Sequence, residues 1–429
     1  MGIQANQTTF RSYLFFWLGQ LVSLLGSSIA NFVIIWWITL LTESTLYLSI
    51  AFLVGLVPTV ILSPFAGVLA DRWSRRKLVG TVDFLQALTT LGLIFLFWLD
   101  LASILLVLVL LGLKGVFQAF HRPTVSAITP SMVPEDKLSR MNGLNFLFTG
   151  AVNLVGPVVA AFLLEFWKIN QILWIDAITF VAALVPLLLV RIPSVGNWKE
   201  RSSFVEEFRE GLSYIRNVRG FVPLILLSTI LNFLLTPLNT LFPYFVRFDH
   251  SGGAGDLAFV LAMAQGGMLA GGLLMSVFQG FKKKMVTIIF FMYVFFFGYS
   301  LVALAPPGLF WFIGLNGLIM LFCLPVVNVL YMTIIQTIVP TDMQGRVNSV
   351  DMALSSAASP LGMILFGAIA EFTGATNLFL GCTISGMVVL ALSWFFTDVR
   401  YVEKTDGASP IVGKLDIPLR HKLDRTSEN

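Results

Sequence analysis

Ile104-Leu-Leu-Val-Leu-Val-Leu-Leu-Gly-Leu113 is an apolar run broken only by Gly112, and Lys114 follows it directly. A strand of an outer-membrane barrel alternates apolar and polar side chains over ~10 residues. This run does not alternate, so it belongs to a helix. Comparable runs fill the chain: of 429 residues, 57% are apolar and 12% charged, against ~45–50% and ~25% in an ordinary soluble domain. That balance excludes a soluble enzyme. At ~20 apolar residues per bilayer crossing, twelve crossings fit, and runs bounded by turn residues and charges predict helices over about 12–41, 46–70, 78–98, 102–130, 138–165, 170–191, 220–246, 256–281, 285–304, 309–338, 347–370 and 376–397. The first run has no small-residue cleavage site and exceeds a signal peptide in length, so it is expected to stay in the mature protein. Cys323 and Cys382 lie inside apolar runs without metal-ligand spacing and read as small buried hydrophobes. Neither a metal nor a cofactor is expected.

The basic residues decide orientation. With both chain ends on one side, 24 of the 27 Lys and Arg fall on that side, among them Arg11, Arg72 to Lys77, Arg122, Lys137, Arg140, Lys282 to Lys284 and Arg346. Lys168 and Arg247 fall opposite, and Lys114 lies within the membrane. Positive residues resist translocation, so the first side is expected to be cytoplasmic. The expected organisation is a six-helix bundle over 1–191, a linker over 192–219, a second six-helix bundle over 220–398 and a cytoplasmic tail over 399–429. In the linker, Phe204, Phe208, Leu212 and Ile215 recur at helical spacing against Glu206, Glu207, Arg209 and Arg216. They predict an amphipathic helix on the inner surface, read as a tether or a regulatory platform.

A shift of 206 positions aligns Val133–Phe166 with Val339–Phe372 without a gap, and nine of the 34 pairs are identical, including Pro134/Pro340, Asp136/Asp342, Arg140/Arg346, Asn142/Asn348, Gly156/Gly362 and Glu165/Glu371. A repeat displaced by an even number of crossings is a parallel repeat, with a substrate path between the halves. Asn142, Asn145, Thr149 and Asn153 make a polar stripe on the fifth helix; on the eleventh, Asn348, Asp351, Ser355 and Ser359 keep the same face. Only the second copy carries an acid. Gln20, Ser23, Ser27 and Asn31 stripe the first helix, and Ser228, Asn232, Thr236 and Asn239 the seventh. Such stripes either bond across packed helices or line an aqueous cavity. Gln20, Ser27, Asn31, Gln118, Asn232, Thr236 and Asn239 are the cavity candidates, and on the fourth helix Lys114 and Gln118 share a face with His121 or Arg122.

The segment Gly67-Val-Leu-Ala-Asp71-Arg72-Trp-Ser-Arg75-Arg76-Lys77, between the second and third helices, resembles the signature loop of the major facilitator superfamily, with Ser74 where glycine is usual. The resemblance implies an all-α membrane protein with twelve transmembrane helices in two pseudo-symmetric six-helix bundles. It also implies that Gly67, Asp71, Arg72 and Arg75 belong to a latch beside the eleventh helix, for which Arg122 is the candidate partner. Gly156-Pro157 followed by Ala160-Ala161 resembles the antiporter signature of the fifth helix, although Val152 replaces one glycine and the two alanines a glycine pair. Lys114-Gly115 resembles the basic motif of the fourth helix, with lysine for arginine. Ala119-Phe-His-Arg-Pro123, Ile128-Thr-Pro130, Val133-Pro-Glu-Asp136, Phe208-Arg-Glu-Gly211, Thr236-Pro-Leu-Asn239 with Leu241-Phe-Pro243, and Gly271-Gly272 resemble the macrolide efflux branch. That implies a proton-driven macrolide exporter of the cytoplasmic membrane, sometimes working beside an ATP-binding partner protein; the chain is separately expected to be a monomer. Export of a siderophore or a lipid-like metabolite stays open, as do uptake and a membrane-embedded sensor or enzyme. An ATP-driven pump is disfavoured, since the sequence has no Gly-x4-Gly-Lys-Ser/Thr loop.

Proton coupling needs an ionisable group inside the membrane. Lys114 lies about 18 Å from the outer edge of the membrane core and ~12 Å from the inner one, out of snorkelling reach. It requires a partner, and Asp83 on the third helix stands at a compatible depth. The coupling candidates in order are Asp351 and Lys114, then Asp83, then Asp176.

Overall fold

The computed structural model describes residues 7–192, 204–278, 281–340 and 343–404; within these, the side chains of residues 63, 64, 67–72, 204–207, 356 and 404 lie outside the description. The first half comprises α1 Gln7–Thr42, α2 Thr45–Arg72, α3 Arg75–Trp98, α4 Ile104–Met132, α5 Glu135–Leu164 and α6 Ile169–Leu189. After a short helix, α7 Phe204–Asn217, the second half comprises α8 Phe221–Tyr244, α9 Ala254–Val277, α10 Lys284–Ala303, α11 Phe310–Ile338, α12 Gln344–Thr373 and α13 Ala375–Phe396. A π-turn, Phe245–Asp249, prolongs α8. Twelve of these helices, all but α7, are long and apolar enough to cross a membrane. An even number of crossings puts both ends of the described chain on one face, called here the terminal face, with the far face opposite.

Local chemistry sets the helix ends. Ser103 accepts from the Leu106 N–H at 3.4 Å to start α4, and Gly220, with φ +79°, makes the left-handed turn into α8. Within the first half α1 packs on α5 and α6, and α4 on α2 and α3; within the second, α11 packs on α9 and α10. The halves meet where α2 lies on α12 and α5 on α9. Toward the far face their cores merge, for Phe32, Trp36, Ala160 and Ile172 join the apolar cluster of the second half. Toward the terminal face Tyr13, Phe16, Val79 and Ile128 form a cluster of their own. Phe295, Phe296 and Phe379 are buried, whereas Phe290, Phe297 and Phe372 are exposed.

The linker differs from expectation. Its helix does form, but Tyr214 and Ile215 are buried, and Phe208 and Leu212 pack on the core of the second half. Glu210 Oε2 lies 2.7 Å from Arg346 Nη1, and the Tyr214 hydroxyl donates to the Ile338 carbonyl at 3.0 Å. The apolar stripe is therefore covered by protein rather than by a membrane surface, and α7 belongs structurally to the second half. Where α8 begins, Arg219 Nη2 donates to Asp398 Oδ1 at 3.0 Å, a bond that holds the exposed Asp398 carboxyl below the usual range. Residues 193–203 and the tail from 405 onward lie outside the described residues.

Candidate functional site

Lys114 stands ten residues into α4, about 15 Å along the helix at 1.5 Å per residue, near the middle of a ~30 Å hydrocarbon core. Its Nζ lies 2.8 Å from Asp176 Oδ2 and donates to Thr90 Oγ1 at 3.1 Å. Thr90 in turn donates to the same carboxylate oxygen at 2.7 Å, while Ser27 Oγ donates to Asp176 Oδ1 at 2.8 Å. Four helices, α1, α3, α4 and α6, thus converge on one carboxylate. Asp176 is fully buried and the Lys114 side chain is 19% exposed. Asp83, whose depth made it a possible partner, is not the acid Lys114 meets: depth along a helix fixes height but not direction, and Asp176 stands on the side that Lys114 faces. Two lower-ranked acids are therefore placed differently, Asp176 beside Lys114 and Asp83 beside His121, whose Nε2 is 3.1 Å from Asp83 Oδ1.

Asp351, on α12, is 5% exposed and accepts from the Tyr331 hydroxyl of α11 at 2.6 Å. Ser228 of α8 donates to that hydroxyl at 3.3 Å. The bonds of Asp351 and those of Lys114 stay within their own halves. Tyr331 and Thr90 were missed by sequence reasoning, since a lone tyrosine or threonine in an apolar helix carries no signal until its partner is known.

The cavity candidates divide. Gln20 Oε1 lies 3.1 Å from His121 Nε2, Ser27 binds Asp176, and Gln118 accepts from Gln86 at 3.3 Å, so these three are engaged inside the first half. Thr236 is buried and bonds back to the Asn232 carbonyl at 3.2 Å. Asn31, Asn232 and Asn239 are exposed. Gly156 admits α1 so closely that a Cβ there would lie 2.2 Å from Ser28 Oγ, and Pro157 continues within α5. In the signature loop, Arg75 Nη1 donates to the Ala127 carbonyl of α4 at 2.8 Å and Arg76 to the Leu188 carbonyl of α6. The side chains of Gly67, Asp71 and Arg72 lie outside the described residues, and Arg122 is exposed.

At the far face Glu371, at the end of α12, reaches across to the first half. Its Oε2 accepts from Ser44 Oγ at 3.0 Å, from Thr45 Oγ1 at 2.9 Å and from the Leu46 N–H at 3.3 Å. A carboxylate from one half thereby caps the first turn of α2 in the other, where the helix dipole favours negative charge. Gly367 lies one turn below, and a Cβ there would stand 2.4 Å from Ser49 Oγ of α2. Glu165, the repeat partner of Glu371, is exposed; the corresponding helix α9 has its first turn held by its own Asp256, which accepts from the Gly253 N–H at 2.9 Å. Among the described residues the clasp exists on one side of the repeat.

Two repeated six-helix halves, joined at one face and carrying ionisable groups at mid-membrane depth, define a multi-pass membrane transporter. The family model described as Major Facilitator Superfamily matches residues 16–358, and the chain belongs to that superfamily. Macrolide efflux protein A of Streptococcus pyogenes is 29% identical over 393 residues, covering 91% of this chain and 96% of that protein. The multidrug efflux pump Tap of Mycolicibacterium fortuitum is 24% identical over 401 residues, covering 88% and 94%. Among solved structures, the nucleoside transporter NupG superposes with a TM-score of 0.69 at 13% identity, over 89% of this chain and 98% of that one. A D-xylose–proton symporter gives 0.67 at 13% identity, over 91% and 99%. The superfamily resemblance read from the signature loop is borne out, and it makes the chain a transporter rather than a member of an enzyme class.

Proposed function

We propose that this transporter exports macrolide-like amphipathic molecules across the cytoplasmic membrane in exchange for protons, by alternating access between 1–191 and 220–398, with 192–219 as the connection and both termini and the 399–429 tail in the cytoplasm. The observation that carries the cargo is the 29% identity to Macrolide efflux protein A, which spans nearly the whole of both chains. Proton coupling is supported by the buried pair of Lys114 and Asp176, since a proton delivered to the carboxylate cancels the attraction that holds four helices together. The one-sided distribution of Lys and Arg supports the orientation. Protons, cargo and lipid suffice as partners; an ATP-binding protein would be an addition to this scheme. Cells carrying the protein are expected to accumulate several-fold less labelled macrolide than cells without it, and a protonophore should erase the difference. Equal accumulation in the two strains would reject the cargo.

In this scheme the clasp at Glu371 holds the far face shut. The carboxylate is exposed, which discounts its bonds toward the ~0.5–1.5 kcal/mol of ordinary hydrogen bonds. Glu371→Ala is therefore expected to shift the equilibrium toward far-face opening by about tenfold, equivalent to ~1.4 kcal/mol. Spin labels on cysteines placed at the exposed positions Glu43 and Asn377 would report it as a longer distance population, since Cys323 and Cys382 are buried and take no label. An unchanged distribution would show that the clasp holds nothing.

A further inference from the structure

Lys114, Gln118 and His121 form one row on α4, and Thr90, Gln86 and Asp83 one row on α3, because residues three and four apart share a helix face. The helices run antiparallel and their rows meet rung by rung. Lys114 Nζ donates to Thr90 Oγ1 at 3.1 Å, Gln86 Nε2 to Gln118 Oε1 at 3.3 Å, and His121 Nε2 lies 3.1 Å from Asp83 Oδ1. From the first rung to the last is seven residues of α4, about 10 Å toward the terminal face.

The last rung is unlike the others. Asp83 is 2% exposed, and among the described residues neither of its oxygens receives a hydrogen bond. His121 approaches within ion-pair distance, but its Nε2 also lies 3.1 Å from Gln20 Oε1, and that contact has hydrogen-bond geometry where the contact with Asp83 does not. A buried carboxylate without hydrogen bonds is costly when ionised, and a proton added to this pair, on carboxylate or imidazole, removes the cost. The group facing the pair from a third helix is Gln20 of α1, whose Oε1 meets His121. The other ionisable residues on the surrounding helices are Arg11 and Tyr13 on α1, Arg75, Arg76 and Lys77 on α3, Lys114 and Arg122 on α4, Asp176 on α6, and on α2 Tyr47 together with Asp71 and Arg72, the side chains of these last two lying outside the described residues.

We propose that these facing rows are a proton path inside the first half, with Asp83 and His121 as the station nearer the terminal face, Gln86 and Gln118 as its polar middle, and Asp176 with Lys114 as its inner stop. This rests on the reading that protons drive transport, and adds the route, which avoids the seam between the halves. A proton enters on the last rung and leaves it to water. Amide groups do not carry it, but Gln86 and Gln118 offer donors and acceptors to water that does. At the inner stop it adds to Asp176 Oδ2, and Lys114 keeps its own charge and loses its counter-ion.

The test uses the full-length chain in nanodiscs, a pH jump and infrared difference spectroscopy of carboxyl protonation. The band missing from Asp176→Asn reports Asp176. Its appearance is expected to slow by about tenfold or more in Asp83→Asn and in Gln118→Leu. Gln118→Leu replaces an uncharged side chain by one of similar size, so it remains informative if Asp83→Asn folds poorly. His121→Gln should slow it as well, since it removes the ring that lies 3.1 Å from Asp83. Appearance at the unaltered rate in Asp83→Asn and Gln118→Leu overturns the path alone. If the unaltered chain shows no Asp176 band at any pH, the coupling reading falls first and the path with it.

Discussion

Asp176→Ala is expected to cost about 3–5 kcal/mol of stability, the usual penalty for leaving one member of a buried ion pair without its counter-charge, and to abolish gradient-driven export. The reasons are local. Removing the carboxylate takes away the 2.8 Å partner of Lys114 and the acceptor of both Ser27 and Thr90, so three donors on three helices lose one shared acceptor together, and Lys114 keeps only Thr90. The paired change Lys114→Met with Asp176→Leu fills the same space without charge and should recover most of the stability while transport stays absent. Thermal unfolding in detergent reads the first quantity and uptake into inverted vesicles the second. Lys114→Arg keeps a charge that does not leave at physiological pH, whereas Lys114→Ala removes it. Equal export by these two variants would reduce Lys114 to packing, and an Asp176→Ala protein that unfolds and transports like the unaltered chain would end the case for the pair.

Asp351→Asn is expected to free export from the proton gradient while leaving membrane yield intact. Asparagine keeps an oxygen where Tyr331 donates at 2.6 Å, so the contact between α11 and α12 can survive while the ionisable group disappears. Tyr331→Phe is the complement, because it keeps the acid and removes its donor. Export in Asp351→Asn should persist after collapse of the gradient and lose its dependence on external pH. Gradient-driven export at the unaltered rate would remove Asp351 from the mechanism and leave coupling to the first half.

The twelve crossings were legible because apolar runs such as Ile104–Leu113 report helix and membrane together, and α4 begins within a few residues of its expected start. The repeat was legible in Pro134/Pro340 and Gly156/Gly362. The position of Lys114 announced that it needed a partner, but not which one. Height within the membrane follows from counting along one helix; the direction a side chain faces depends on how neighbouring helices rotate, and that is set by packing spread over many residues. The same limit explains why Gln20 and Ser27 read as cavity lining while the structure engages them inside the first half, and why Glu371 stood out as a repeated residue without revealing its reach to α2. The stripe of α7 was legible as amphipathic, yet periodicity does not say whether lipid or protein covers it.

The pair of Lys114 and Asp176 also sets a problem of timing at the ribosome. The two residues are 62 apart in sequence, so at ~5–20 residues per second the ammonium precedes its counter-ion by about 3–12 s. Thr90 has already emerged and offers one oxygen, but a lone lysine at the middle of a newborn helix opposes entry into the bilayer by ~2.5–3.5 kcal/mol. The leucine, isoleucine and valine run just ahead of it, interrupted only by Gly112, favours entry by about 3–5 kcal/mol. The stretch that marks α4 as a membrane segment therefore also escorts its cation through the interval before α6 is made.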